Sequence, residues 1–274
     1  GIPEIDDRLG WRKLAYGEVT VLGALSKNGK TLMMNYIAAN CSLKDDECGH
    51  VFSIEMPVDA LFNSMITAMT GVPSDFYCRQ AFYAEKYSAM YDSMFGKWSH
   101  AVKTLTDENK FTFDGKKEVD ADYICAEMLK RAAIAKNEGK KLKIVFIDHF
   151  HRMNFKSDSA MTYAMRDSVR KIKNTAALIG CAVVLLVQLN NRAEGSDPTS
   201  FHILDSSSIR HELQAFIGSR MYRQDGATHF GLFFDSQRYA SIETVFTPLF
   251  MRLSNGVLSI DNNFIPAKDE NNGH

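Results

Sequence analysis

The chain has 274 residues, 45% of them apolar, and a formal charge of −1 from 32 basic and 33 acidic side chains. That length holds one large α/β domain or two small ones with a sizeable core, and the charge excludes a protein that coats nucleic acid with a broad basic surface. Five scattered cysteines, with no CxxC pair or His/Cys cluster, read as reduced thiols in a cytosolic protein rather than metal ligands.

No apolar run approaches the roughly 18 residues of a membrane span, and no signal peptide is visible. The chain opens at Gly1 rather than Met, which reads as a processed or excised piece.

In chain order, residues 17–25 (GEVTVLGAL) read as a buried strand, followed by a polar turn and a helix from about Lys30. A second β-branched run, HVFSIEM, covers residues 50–56. Residues 58–105 have a helical pattern rich in Met, Tyr and Phe. A short strand is expected over 110–115, a helix over 121–137 with Ile124, Met128, Leu129 and Ala132 on one face, and a strand over 141–150 (KLKIVFIDHF). A helix over 161–179 and a strand over 181–191 (CAVVLLVQLNN) follow. Residues 192–208 are polar and turn-rich and read as a long loop. The segments THFGLFFDSQRY and FTPLFMRLSNGVLSID read as antiparallel strands at a sheet edge. Strands alternating with helices predict an α/β fold with a mostly parallel central sheet. One domain over residues 1–265 and a polar, disordered tail over 266–274 are expected.

The turn after the first strand carries chemistry. Ser26, Lys27, Asn28, Gly29, Lys30, Thr31 and Leu32 sit between an apolar strand and an apolar helix, where backbone N–H groups and a helix N-terminus can wrap phosphate oxygens. The phosphate-loop pattern GxxxxGK[ST] wants glycine where Ala24 stands. That position only eases the turn, so alanine is tolerable if φ stays negative. Lys30 would reach the β- and γ-phosphates of ATP, and the Thr31 hydroxyl would ligate Mg²⁺.

Asp148 ends an apolar strand, where ligands gather in open α/β sheets, and reads as the carboxylate that holds the metal's water shell; alone it could equally cap the following turn. Glu55 can point into the same crevice and deprotonate the attacking water, or serve as an acid at the start of the next helix. Gln188 ends another strand, where an amide can contact the γ-phosphate and report its presence to the following loop, or face water.

These elements, in this order and over nearly the whole chain, resemble the ATPase domain of the DnaB-type replicative helicases, bacterial or phage-encoded, a RecA-like P-loop family. The lead-in GIPEIDDRLGWRKLAYGEVTVLGA is similar to the family's, whose phosphate loop often begins with Ala, as at Ala24. FSIEM looks like its SLEM segment, placing Glu55 as the catalytic glutamate. IVFIDHFHRM looks like IVVDYLQLM, placing Asp148, and LLVQLNNR looks like ALSQLNR, placing Gln188. SSSIRHEL is similar to SGSIEQDAD in the region that faces DNA. DSQRY resembles KQRNG, which puts Arg238 on the arginine finger; its strand is expected at the far edge from the phosphate loop. The family's lysine two residues earlier is Ser236 here, and residues 74–105 also depart from the family pattern.

The resemblance implies a Mg²⁺- and ATP-dependent motor acting in the cytoplasm of a bacterial cell or phage host. It implies a homo-hexamer that threads single-stranded DNA, with primase and a helicase loader as partners. Lys156, Arg192, Ser207, Ser208 and Arg210 would face the DNA, with six subunits summing few charges into a channel. The N-terminal collar and linker helix of such helicases are not seen, so this piece is expected to be monomeric in isolation. A RecA-like recombination or repair ATPase, and a nucleotide-dependent replisome scaffold with weak turnover, stay open as alternatives.

Overall fold

The structure, a computed structural model, describes residues 2–10, 12–106, 110–155, 161–204, 207–235 and 247–267. Strand β1 (Val19–Ala24) is buried at every position. Val19 and Val21 enter one apolar cluster and Leu22 the other, so its continuous apolar run is that of a strand covered on both faces. Strands β2 (Glu47–Ser53), β3 (Phe111–Asp114), β4 (Lys141–Asp148), β5 (Ala182–Gln188) and β6 (Ala215–Gln224) join it in parallel. Strands β7 (Ala227–Asp235), β8 (Leu249–Ser254) and β9 (Val257–Ile260) continue the sheet antiparallel, in the order β3-β2-β4-β5-β1-β6-β7-β8-β9.

Helices cover both faces. Helices α1 (Pro3–Leu9), α2 (Lys30–Ala39) and α3 (Val58–Thr70) lay Ile5, Met34 and Met65 on one side, with Leu105 of α5 (Ser88–Thr106). On the other side lie α6 (Ala121–Asn137) and α7 (Met161–Ile179), through Ile124, Met128, Val169 and Ile172. Because the parallel strands share one direction, their C-terminal ends line up: Ala24 lies opposite Gln188, and Ser53 opposite Asp148. That edge is where an open α/β sheet gathers its ligands.

Several elements differ from the sequence expectation. Strand β6 was not expected; it separates β7 from β1, so the strand leading toward Arg238 stands inside the sheet, with β8 and β9 beyond it, and not at the far edge. The helical stretch over 58–105 is broken. α3 ends at Gly71, whose φ of 72° is the left-handed cap that stops a helix. After it come a 3-10 turn, helix α4 (Gln80–Lys86) and α5, built on their own cluster of Val72, Phe76 and Tyr83 with Trp98 against it. The last expected strand folds into the hairpin β8–β9 around Asn255 (φ 50°) and Gly256 (φ 78°), the two positive φ angles of a tight hairpin turn. The chain packs back on Gln224 where the disordered tail was expected to begin: Gln224 Nε2 donates to the Ile265 carbonyl, and within the tail the Ala267 N–H donates to Gln224 Oε1. All five cysteines are free thiols. Among the described residues no helix is long and apolar enough to cross a membrane.

Candidate functional site

The loop between β1 and α2 is shaped by two backbone positions. Lys27 (φ 60°) and Gly29 (φ 75°) are left-handed, whereas Ala24 is the last extended residue of β1. No glycine is required at Ala24. At Gly29 it is required twice over, because a Cβ there would lie 2.3 Å from the Phe230 ring of β7. Asn28 braces the loop by accepting the Met221 N–H of β6 at 3.2 Å and donating to the Ser26 carbonyl. Ser26 and Lys27 are exposed and Leu32 is half-buried against the core. Helix α2 then starts at Lys30 with no acidic side chain in its first turn, leaving its N-terminal amides and dipole available to an anion.

Lys30 folds back across the loop, its ammonium 3.4 Å from the Ala24 carbonyl and 3.5 Å from that of Leu25. Burial lowers its pKa, and the charges of Asp148 and Glu55 oppose that shift. The Thr31 hydroxyl donates to Asp148 Oδ2 at 2.9 Å. Asp148 is 1% exposed. Burial raises its carboxyl from the ordinary 3.8 to about 6, against the Thr31 hydrogen bond and the Lys30 and Lys117 charges; Glu55 adds to the rise. Burial makes the ionised form of this carboxylate costly despite the two lysines, and a bound hard divalent cation would relieve that cost.

Glu55 lies two residues beyond the end of β2, not on the strand itself. Its segment is drawn over β4 by the Ile54 and Glu55 amides, which donate to the Asp148 carbonyl at 2.6 and 3.3 Å. Lys117 clamps the same turn by donating to the Ser53 and Met56 carbonyls at 3.0 and 2.9 Å. The partly exposed Glu55 carboxylate meets His149 Nδ1 at 2.7 Å through one oxygen and Arg152 at 3.5 Å through the other. Burial pushes Glu55 up, but His149 and Arg152 outweigh it and hold the group below its ordinary value. Burial in turn pushes His149 down, which the Glu55 contact opposes. Its Nε2 is buried without a hydrogen-bond partner among the described residues. Potential ligand atoms of Glu55, Asp148 and His149 lie within 4.8 Å of one another.

Thus Lys30, Thr31, Asp148 and Glu55 converge. Gln188 joins them at the last position of β5, directly opposite Ala24. Of the residues expected to face DNA, Arg192, Ser207, Ser208 and Arg210 lie within the described residues. Arg192 is exposed on a 3-10 turn just after β5. Arg210 is already engaged, stacked 3.4 Å over the Phe201 ring and donating to Ser200 Oγ at 3.2 Å. Ser207 and Ser208 open the 3-10 stretch Ser207–Glu212. Lys156, Ser236 and Arg238 lie outside the described residues. His149 and Lys117 were not singled out from sequence. His149 adjoins Asp148 and so lay within reach of the strand-end argument; Lys117 had no local signal.

Residues 1–239 match the family model described as the DnaB-like helicase C terminal domain. The chain is 24% identical over 231 residues to the replicative DNA helicase DnaB of Treponema pallidum (strain Nichols), covering 83% of this chain and 49% of that protein. It therefore spans about half the length of that relative. Among solved structures it is similar to one described as an ATPase domain, with a TM-score of 0.69 at 18% identity over 88% of this chain and 84% of that one. It is also similar to a DnaB-like replicative helicase whose structure was described with its interactions with primase: TM-score 0.70, 17% identity, 89% of this chain and 57% of that one. At these identities the structural likeness bears on the RecA-like fold alone.

Proposed function

The chain belongs to the family of DnaB-like helicase C-terminal domains, and from that premise we propose that it is the ATP-hydrolysing motor of a replicative helicase, moving on single-stranded DNA and unwinding duplex. The observation that carries this reading is the contact of Thr31 with the buried carboxylate of Asp148, at the strand ends beside Lys30 and Glu55.

In this reading the amides of residues 26–31 and the Lys30 ammonium bind the ATP phosphates, the ammonium leaving the Ala24 and Leu25 carbonyls to do so. Thr31 and Asp148 would hold Mg²⁺. Their hydroxyl and carboxylate are oxygen donors suited to that ion, and burial, the chief cause of the raised Asp148 pKa, is a cost that a bound cation would relieve. When bound, the ion neutralises charge on the β- and γ-phosphates. Glu55 takes the proton from the attacking water, and His149 is the positioning residue that aims it. A carboxylate with both oxygens engaged is a weak base, so Glu55 must turn from Arg152 to act. Gln188 contacts the γ-phosphate end, and Arg238 reaches the ATP of the neighbouring subunit. The loops after β4 and β5, with Lys156, Arg192, Ser207, Ser208 and Arg210, line the DNA path.

The assembled form is a homo-hexamer in the full-length protein, with primase and a loader as partners in the cytoplasm. Residues 1–265 act as one motor domain. The test is ATP hydrolysis by the assembled protein with and without single-stranded DNA, beside Lys30→Ala. The reading expects DNA-accelerated turnover that the variant lacks. Equal turnover by the two proteins overturns it.

A further inference from the structure

His151 lies on the 3-10 turn Phe150–Arg152 that follows β4. It touches two other segments. Its Nδ1 accepts the Gln188 N–H at 3.3 Å, and its Nε2 donates to the Leu204 carbonyl at 3.0 Å. A neutral imidazole has one donor and one acceptor, so this pair of bonds selects a single tautomer. One side chain thereby links the end of the strand carrying Asp148, the end of the strand carrying Gln188, and the exit of the loop between residues 190 and 204.

That loop is braced. Its stem is closed by the Leu204 N–H to the Gln188 carbonyl at 3.1 Å, the Asn190 N–H to the His202 carbonyl at 2.8 Å, and a bridge between Leu189 and Ile203. Its body is fastened at Ser200, which is fully buried; the N–H and the hydroxyl both donate to Asp235 Oδ2 at the end of β7, at 2.8 and 2.6 Å. Pro198 packs on Gly218 of β6 so closely that a Cβ there would lie 2.5 Å away. A loop braced at stem and body has little slack, so a displacement at its stem is felt along its length. Arg192 rides on it, and the Phe201 ring that it exposes carries Arg210.

We propose that His151 is a positioning residue that couples nucleotide state to DNA affinity: it carries displacement of the Gln188 strand end into the 190–204 loop. The proposal rests on the motor reading above and names the part that transmits. These two hydrogen bonds run beside the backbone stem that already joins Gln188 to Leu204, so cutting either one weakens the coupling. Coupling between two ligands is reciprocal and is read as a ratio of affinities.

The experiment uses the assembled full-length protein and a fluorescent oligo(dT), whose affinity is measured by anisotropy with a non-hydrolysable ATP analogue and with ADP. The wild type should show affinities that differ by about fivefold or more, the lower end of typical couplings. His151→Ala should lower that ratio by about half or more, the backbone stem keeping the remainder. His151→Asn, which can keep the Gln188 contact, and His151→Gln, which can keep the Leu204 contact, should each do the same. These two conservative variants decide the matter should the alanine protein fail to fold. Hydrolysis without DNA should stay within about twofold of wild type, the level at which a change in barrier is negligible. A wild-type ratio in either folded conservative variant overturns the proposal while DNA-stimulated hydrolysis leaves the motor reading standing. A wild-type protein whose hydrolysis responds to DNA but whose two affinities are equal also overturns it. Absence of hydrolysis in the wild type overturns both.

Discussion

Replacing Asp148 with asparagine should stabilise the nucleotide-free protein while abolishing its chemistry. Raising this carboxyl from 3.8 to about 6 corresponds to about 3 kcal/mol set against its ionised form. The folded pKa lies above the unfolded one. The favourable contribution is therefore complete below about pH 3.8 and is lost as the pH rises through about 6. At pH 7 the wild type carries that cost in full. Asparagine keeps an oxygen for the Thr31 hydroxyl and removes the charge, but it also deprives the buried Lys30 ammonium of a favourable neighbour. A net gain of about 1–2 kcal/mol remains, or roughly 3–6 °C in melting temperature for a domain of this size. Thermal unfolding followed by circular dichroism in chelator, for both proteins between pH 4 and 7.5, reads it directly. The two curves should converge near pH 4 and separate toward pH 7, and Mg²⁺ should stabilise the wild type alone. If the asparagine protein is no more stable at pH 7, or if the difference is independent of pH, the burial argument for Asp148 is wrong.

Lys30→Ala should lose ATP binding and turnover together while keeping its fold; equilibrium nucleotide binding with a fluorescent ATP analogue checks it, and wild-type affinity would contradict it. Glu55→Gln should bind ATP normally and turn it over about 100-fold more slowly or worse, the usual share of a positioned general base; a normal rate in a phosphate-release assay moves the base elsewhere, with Asp59 the nearest substitute. His149→Asn keeps a donor near the Nδ1 position and should retain most of kcat, whereas His149→Leu should lower kcat with KM little changed; equal rates in the two would leave His149 without a positioning role. Gly29→Ala combines a left-handed φ with a collision against Phe230 and should cost about 2–4 kcal/mol in chemical denaturation; a loss under 1 kcal/mol would mean that the ring moves aside freely.

The parts of this architecture that were legible in the sequence are those in which one segment carries its own signal. β1, β4 and β5 are buried on both faces over most of their length, so each carries a mostly apolar run, and the polar residues that matter stand at its end: Asp148 as the last residue of β4, Gln188 as the last of β5, and the Gly29-Lys30-Thr31 turn after β1. What stayed hidden depends on partners distant in sequence. β6 is half buried run and half polar, with Gly218 in the middle, and becomes a strand because β1 and β7 flank it. α1 has seven residues and only Ile5 and Leu9 buried, too short for a helical period to register. The hinge at Gly71 and the turn at Asn255-Gly256 were visible as residues, but a long apolar pattern on either side outweighed them. Lys117, His149 and His151 act on groups far along the chain or by contacts that no spacing encodes.

Unwinding of a forked DNA by the full-length protein, with ATP and Mg²⁺ and with Lys30→Ala measured beside it, reads the proposed motor activity itself. Strand displacement should require ATP and be absent from the variant. ATP hydrolysed with the fork left intact would contradict it.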